Sequence, residues 1–205
     1  GSGAIFINGS SGNAACTIKE NLEIRTDNFI ATLAQLHEDI PEIKTLETGT
    51  YIKSENNGVT VNNAAFITVK FEGGTIDCLK ADGTRGESCI QFNDGSNGVY
   101  YQSGNANLVG AESGIRIGFM GTSILKPYVS IEGGSIRNCT TGVKLYQCVK
   151  ESLFSGGTIS DCETGIFMRN CALRMEAGTI TKNKVGIQGD TKSGYYETLT
   201  LKGGE

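Results

Sequence analysis

The sequence predicts an all-β solenoid on three observations: a short motif that recurs at a near-constant period, apolar residues that alternate within each recurrence, and glycines where the alternation breaks. In register the motif reads Gly134-Ser135-Ile136-Arg137-Asn138-Cys139, then Gly157-Thr158-Ile159-Ser160-Asp161-Cys162, then Gly178-Thr179-Ile180-Thr181-Lys182-Asn183. The steps are 23 and 21 residues, and eight residues after each opening glycine comes Gly142-Val143, Gly165-Ile166 or Gly186-Ile187. Periods of this size mark stacked repeat units. Alternation broken by glycine is the pattern of short strands and tight turns, and no unit holds a run long enough for a helix. A unit made only of strands is too thin to bury its own apolar face, so it must share a core with its neighbours.

Taken in order, the chain opens with Ile5-Phe6-Ile7-Asn8 as a short strand running into the polar turn of Gly9 to Asn13. A helix is expected over residues 27–40, where Phe29, Leu33, Leu36 and Ile40 fall on one face. Thr26 or Asp27 can cap its start and Pro41 ends it. An amphipathic helix there can cover the open apolar end of a solenoid. Strand runs follow at Leu46 to Ile52, Val59 to Val61 and Phe66 to Phe71. The repeat register then continues upstream of the central motif: Gly74-Thr75-Ile76 leads to Cys89-Ile90-Gln91-Phe92, and Ala106-Asn107-Leu108 leads to Gly114-Ile115-Arg116-Ile117. At the far end Leu199-Thr200-Leu201-Lys202-Gly203-Gly204 reads like Val129-Ser130-Ile131-Glu132-Gly133-Gly134, the opening of one more coil. It is either a partial cap or the start of further coils in a longer protein. Insertions are expected at 79–88, 93–104 and 118–126, on the outside of the coil, where function most often varies on a rigid scaffold. The whole is one domain, 1–205, with 1–50 as the cap region and 51–205 as about six or seven coils in three stacked sheets, on the order of 30 Å long.

A strand with Asn-Gly-Ser, a helix, Thr48-Gly49-Thr50-Tyr51, and an alternating strand leading to Gly73-Gly74-Thr75-Ile76 together resemble the N-terminus of right-handed parallel β-helix proteins of the pectate-lyase-like type. The Gly-x-Ile spacing downstream is similar to their repeats. The resemblance implies a right-handed parallel β-helix. It leaves function open, because that fold serves lyases, hydrolases, adhesins and tailspikes, many of them surface proteins of bacteria and phage. Such repeats often carry stacked asparagines, where this chain has Ala111, Cys139, Cys162 and Asn183.

Composition narrows the function classes. A net charge of −4 argues against nucleic acid as the main partner, and no apolar run is long enough to span a membrane. Seven cysteines leave at least one unpaired within the monomer. Cys139 and Cys162 share one column, Cys148 and Cys171 another, and both are expected as small apolar residues of an internal ladder, with disulfides between coils as the alternative. No C-x-x-C pair exists and the single histidine, His37, lies in the expected cap, so neither a metal site nor a cofactor is expected. The Asn-Thr-Asp, Asp-Asp and Gly-His-Gly segments that mark the hydrolases of this fold are absent, and Glu72, Glu132 and Glu176 read as solvated turn carboxylates. A Thr-x-Thr ice-binding array is interrupted at Asp77 and Arg137.

The candidate site is an outward stripe. In each Gly-Ile-x unit the residue after the isoleucine points away from the core, giving Gln91, Arg116, Lys144, Phe167 and Gln188; two residues on come Asn93, Gly118, Tyr146, Arg169 and Asp190. Arg116, Lys144, Tyr146, Phe167 and Arg169 therefore form a basic and aromatic patch on an acidic protein, suited to an acidic glycan or a protein partner. No catalytic residue is assigned. The expected function is that of a non-catalytic extracellular or cell-surface module, adhesin-like, that binds a glycan or host protein. The alternative is a metal-independent polysaccharide lyase with Lys144 or Arg116 as base, acting on an acidic polysaccharide.

Overall fold

A computed structural model describes residues 3–8, 13–18, 23–26, 51–62, 66–93, 96, 98–118, 127–148, 150–190 and 196–205. The helix expected at 27–40 lies outside these residues, as does most of the insertion expected at 118–126. Among the described residues there are no helices: the protein is all-β, built of parallel strands in stacked sheets. With strands numbered in chain order, one sheet holds seven: β1 (Gly3–Asn8), β5 (Asn57–Asn62), β7 (Gly86–Phe92), β9 (Ala111–Ile117), β11 (Thr141–Tyr146), β13 (Thr164–Arg169) and β16 (Val185–Gly189). The other sheet contains β2 (Asn13–Ile18), β3 (Glu23–Thr26), β4 (Tyr51–Ser54), β6 (Phe66–Asp77), β8 (Gly98–Val109), β10 (Tyr128–Arg137), β12 (Ser152–Ser160), β14 (Ala172–Met175), β15 (Thr179–Thr181) and β17 (Thr198–Leu201).

Two sheets stand where three were expected. Strands β6, β8, β10 and β12 run through the bend between two ladders without a break, shifting register at the bend. Glycine pairs Gly73-Gly74, Gly133-Gly134 and Gly156-Gly157 sit there, and a Cβ on Gly134 would stand 2.0 Å from the Ala106 carbonyl oxygen of the rung below. Glycine lets the backbones turn this corner at ladder distance. Two short strands, β2 and β3, lie in the stretch between the expected opening turn and the expected helix, to which no element was assigned. Part of the expected insertions is strand as well, since β8 begins at Gly98 and β7 at Gly86. What remains of the first is a tight turn, with Lys80 N donating to Thr84 O and a bridge between Leu79 and Arg85.

The core is a set of columns running from rung to rung. Ile52, Ile76, Leu108, Ile136, Ile159 and Ile180 stack in register, buried until the half-buried Ile180 of the last rung. Val59, Ile90, Ile115, Val143, Ile166 and Ile187 form a second column. The glycine eight residues after the motif's first has a packing cause. A Cβ on Gly58, Gly114, Gly142 or Gly165 would come within 2.3, 2.4, 2.7 or 2.9 Å of the Cγ2 of Ile76, Ile136, Ile159 or Ile180. The branch methyl of each isoleucine thus occupies the space that a side chain on the preceding rung would need. At the one intervening rung the column holds Leu108, which has no β-branch, and the corresponding position is Cys89. The turns are fixed by left-handed residues in matching places: Asn138, Asp161 and Lys182 have φ of 55°, 56° and 54°, and Gln147 and Asn170 have 49° and 52°. Short polar side chains are the non-glycine residues that tolerate this region best.

Candidate functional site

The stripe residues come together as their spacing implied. Arg116 pairs with Lys144 and Lys144 with Phe167 across neighbouring strands, while Tyr146 pairs with Arg169. In the same outward column Thr60 and Gln91 are buried, so the accessible part of the stripe begins at Arg116. The Tyr146 and Phe167 rings lie 5.7 Å apart, tilted by 55°. The Arg169 guanidinium sits over both, 5.6 and 6.0 Å from their centroids.

Charge on the stripe is largely compensated. Arg116 pairs with Glu87 at 3.5 Å, and Glu87 also accepts from the Asn57 amide. Arg169 pairs with Asp190; only 13% of its side chain is exposed, so it is committed to the rings and its partner rather than presented to solvent. Lys144 is half-buried and has no ion-pair partner among the described residues. Burial holds its ammonium below the usual lysine range, helped by the neighbouring Arg116 charge and opposed by Glu112. What the stripe offers a ligand is therefore two rings and one imperfectly solvated ammonium.

The ends of β11 and β13 are held by thiols. Cys139 and Cys162 flank one side, Cys148 and Cys171 the other, each immediately after a left-handed residue and each directing its Sγ at the carbonyl two residues back, at 3.1–3.6 Å. All four are buried free thiols, as are Cys78 and Cys89. Within the Cys139–Cys162 pair, the hydrogen bond between the sulfurs and burial raise Cys139, and the same bond lowers Cys162. In the next rung Asn183 replaces the thiol: its carboxamide accepts from Cys162 N at 2.9 Å and donates to Ile159 O at 3.1 Å. A thiol in that column fills the space; an asparagine fills it and cross-links the backbones.

A second feature was not anticipated from the sequence. Thr68, Lys70, Glu72, Tyr101, Gln102, Ser103 and Glu132 line a groove of about 530 Å³ on the outward side of β6, β8 and β10. At its margin the Tyr101 and Tyr128 hydroxyls are 2.5 Å apart and their rings meet edge to face at 6.0 Å. That bond, then burial, raises the Tyr101 phenol. Lys150 stands 3.6 Å over the Tyr128 ring and Lys70 5.9 Å over that of Tyr101. The signal that could have found it is the alternation of Val99, Tyr101 and Ser103, hidden because Gln102 occupies a core position beside them.

Among the described residues no group of three or more histidine, cysteine or acidic side chains is placed to hold a metal ion, and no helix is long and apolar enough to cross a membrane. Comparison of the chain with protein-family models, with curated proteins and with solved structures finds no match.

Proposed function

We propose that this chain is a non-catalytic binding module of the cell surface or extracellular space, built as a right-handed parallel β-helix, and that it holds a glycan, or failing that a host protein, on the stripe. The parallel ladders, the stacked columns and the sequence resemblance to pectate-lyase-like repeats support the architecture. The observation that carries the function is the Tyr146–Phe167 ring pair beside Lys144, on strands tied to neighbours on both sides. Rings held this firmly lose little freedom when a sugar or an apolar side chain settles on them. Lys144 then supplies one point charge for a carboxylate or sulfate.

A second reading, a metal-independent lyase, is favoured by one specific observation: the Lys144 ammonium is held below its ordinary range, the direction a lysine base requires. Arg116 is a poorer base, since a guanidinium paired with Glu87 keeps its protons. One experiment separates the two readings. The protein is screened against acidic, neutral and basic glycans and host extracellular proteins, and each bound glycan is incubated with protein while the ultraviolet absorbance of unsaturated product is followed. Binding that Tyr146→Ala and Phe167→Ala weaken, with no product, is the expected result. Product formation that Lys144→Ala reduces by orders of magnitude establishes the lyase instead.

A further inference from the structure

The groove on the larger sheet does not belong to the stripe, and its chemistry differs. We propose that it binds a saccharide bearing a free amino group, with the ammonium between Glu72 and Glu132 and the sugar ring against Tyr101. Lys70, Tyr101 and Ser130 pair across β6, β8 and β10, and Glu72, Ser103 and Glu132 follow two residues on, where both ladders shift register. Glu72 and Glu132 thus stand two strands apart, about 10 Å between backbones at a strand spacing of about 4.8 Å. The small Ser103 lies on the strand between them and lines the same groove as both carboxylates. Both are exposed, neither has an ion-pair partner among the described residues, and Glu132 also accepts from Ser130 Oγ at 3.2 Å. An ammonium fits that notch, and the adjoining ring favours it, as Lys70 near the Tyr101 face illustrates.

The Tyr101 ring is fixed by Tyr128, so it meets a ligand as a preformed surface. The hydroxyls of Thr68 and Ser103 and the Lys70 ammonium supply partners for sugar hydroxyls. A basic peptide fits less well. Strands β6, β8 and β10 are each paired on both sides, so no free strand edge is available for a peptide backbone, and the lining carries no apolar anchor pocket. The volume falls in the range of small-molecule sites, roughly 300–1,000 Å³. An N-acetylated sugar would set a neutral amide between two carboxylates and lose the charge-assisted bonds.

The test is calorimetric titration of the intact protein with glucosamine oligomers and with N-acetylglucosamine oligomers of the same length, below the pH at which the amine loses its proton. The expected result is tighter binding of the free amine by about tenfold or more. Glu72→Gln, Glu132→Gln and Tyr101→Ala should each weaken it by about fivefold or more. Glu55→Gln makes the same charge change at an exposed site outside the groove and should leave binding unchanged. Absence of binding, equal affinity for the two oligomers, or equal weakening by Glu55→Gln would each overturn the proposal, the last by reducing it to general attraction of a polycation to an acidic protein. The stripe lies on the other sheet and none of these variants touches it, so the failure of either site is distinguishable from the failure of the other.

Discussion

The interlock between each isoleucine and the glycine of the preceding rung makes a prediction that a simple buried-column account does not. In Gly142→Ala the new Cβ would stand 2.7 Å from Ile159 Cγ2 and 2.6 Å from Gly165 O. Contacts of that length force neighbours to move, and overpacking of this kind costs about 1–3 kcal/mol, less about 0.4–1 kcal/mol returned by the stiffer unfolded chain. Ile159→Ala removes the methyl that would be struck. Ile159 is fully buried between Ile136 and Ile180, so that change alone costs about 2–5 kcal/mol. Combined, the two costs should fall short of their sum by about 0.5–1.5 kcal/mol. Relief is partial because the Gly165 oxygen stays in place. The measurement is urea unfolding of the four proteins by circular dichroism, accepting only variants whose slope is unchanged, since stacked repeats readily depart from two-state behaviour. Additivity within about 0.3 kcal/mol would refute the interlock and leave the glycine explained by backbone approach alone.

Gly118 has φ +85° and an added Cβ would lie 1.8 Å from the Tyr146 carbonyl oxygen, so Gly118→Ala should cost on the order of 1–3 kcal/mol from backbone conformation alone, more from the collision, and should weaken ligand binding at the stripe; a loss below Gly142→Ala in the same unfolding assay would contradict this. Lys144 binds its proton less tightly folded than unfolded, so between its lowered folded pKa and the ordinary value of about 10.4 the unfolded chain carries more protons and stability should rise with pH. Lys144→Met should flatten that slope in alkaline denaturation curves, and an unchanged slope would remove Lys144 as its source. Alkylation followed by mass spectrometry should label Cys139, Cys148, Cys162 and Cys171 under denaturing, non-reducing conditions and spare them in the native protein; paired failure to react when denatured would mean a bridge instead of stacked thiols.

How much of this was legible depended on whether the responsible contact repeats. The Ile136–Ile159–Ile180 and Val143–Ile166–Ile187 columns could be read because strand side chains alternate and each rung repeats the same environment, so one register error would have exposed all of them at once. The meeting of Arg116, Lys144, Tyr146, Phe167 and Arg169 on one face followed from the same parity. Their electrostatics did not. Glu87 reaches Arg116 from a strand 29 residues earlier, and Asp190 reaches Arg169 from the following rung, so each pair depends on side-chain reach that the repeat does not encode. The two-sheet arrangement was hidden for a similar reason, since a glycine corner can break a ladder or bend it, and the residue is the same in both cases.

Gln102 shows why the groove was missed and why it is well founded. In its column Phe71, Ile131 and Phe154 are apolar, so a glutamine there reads as a loop residue and the strand from Gly98 dissolves into an insertion. Yet Gln102 is 1% exposed, and its carboxamide is satisfied. Tyr100 Oη donates to its Oε1 at 3.1 Å, and its Nε2 donates to Gly133 O at 3.2 Å and Ala106 O at 3.5 Å. A buried amide with those partners costs far less than an orphaned one and fixes its strand more specifically than an isoleucine would. The carbonyls it bonds belong to the corner of its own rung and the corner of the next, which ties β8 to β10 beneath the groove. Tyr101 and Ser103, its two sequence neighbours, are therefore carried on a strand held by directional side-chain bonds as well as by its ladders, and the ring and notch offered to a ligand rest on it.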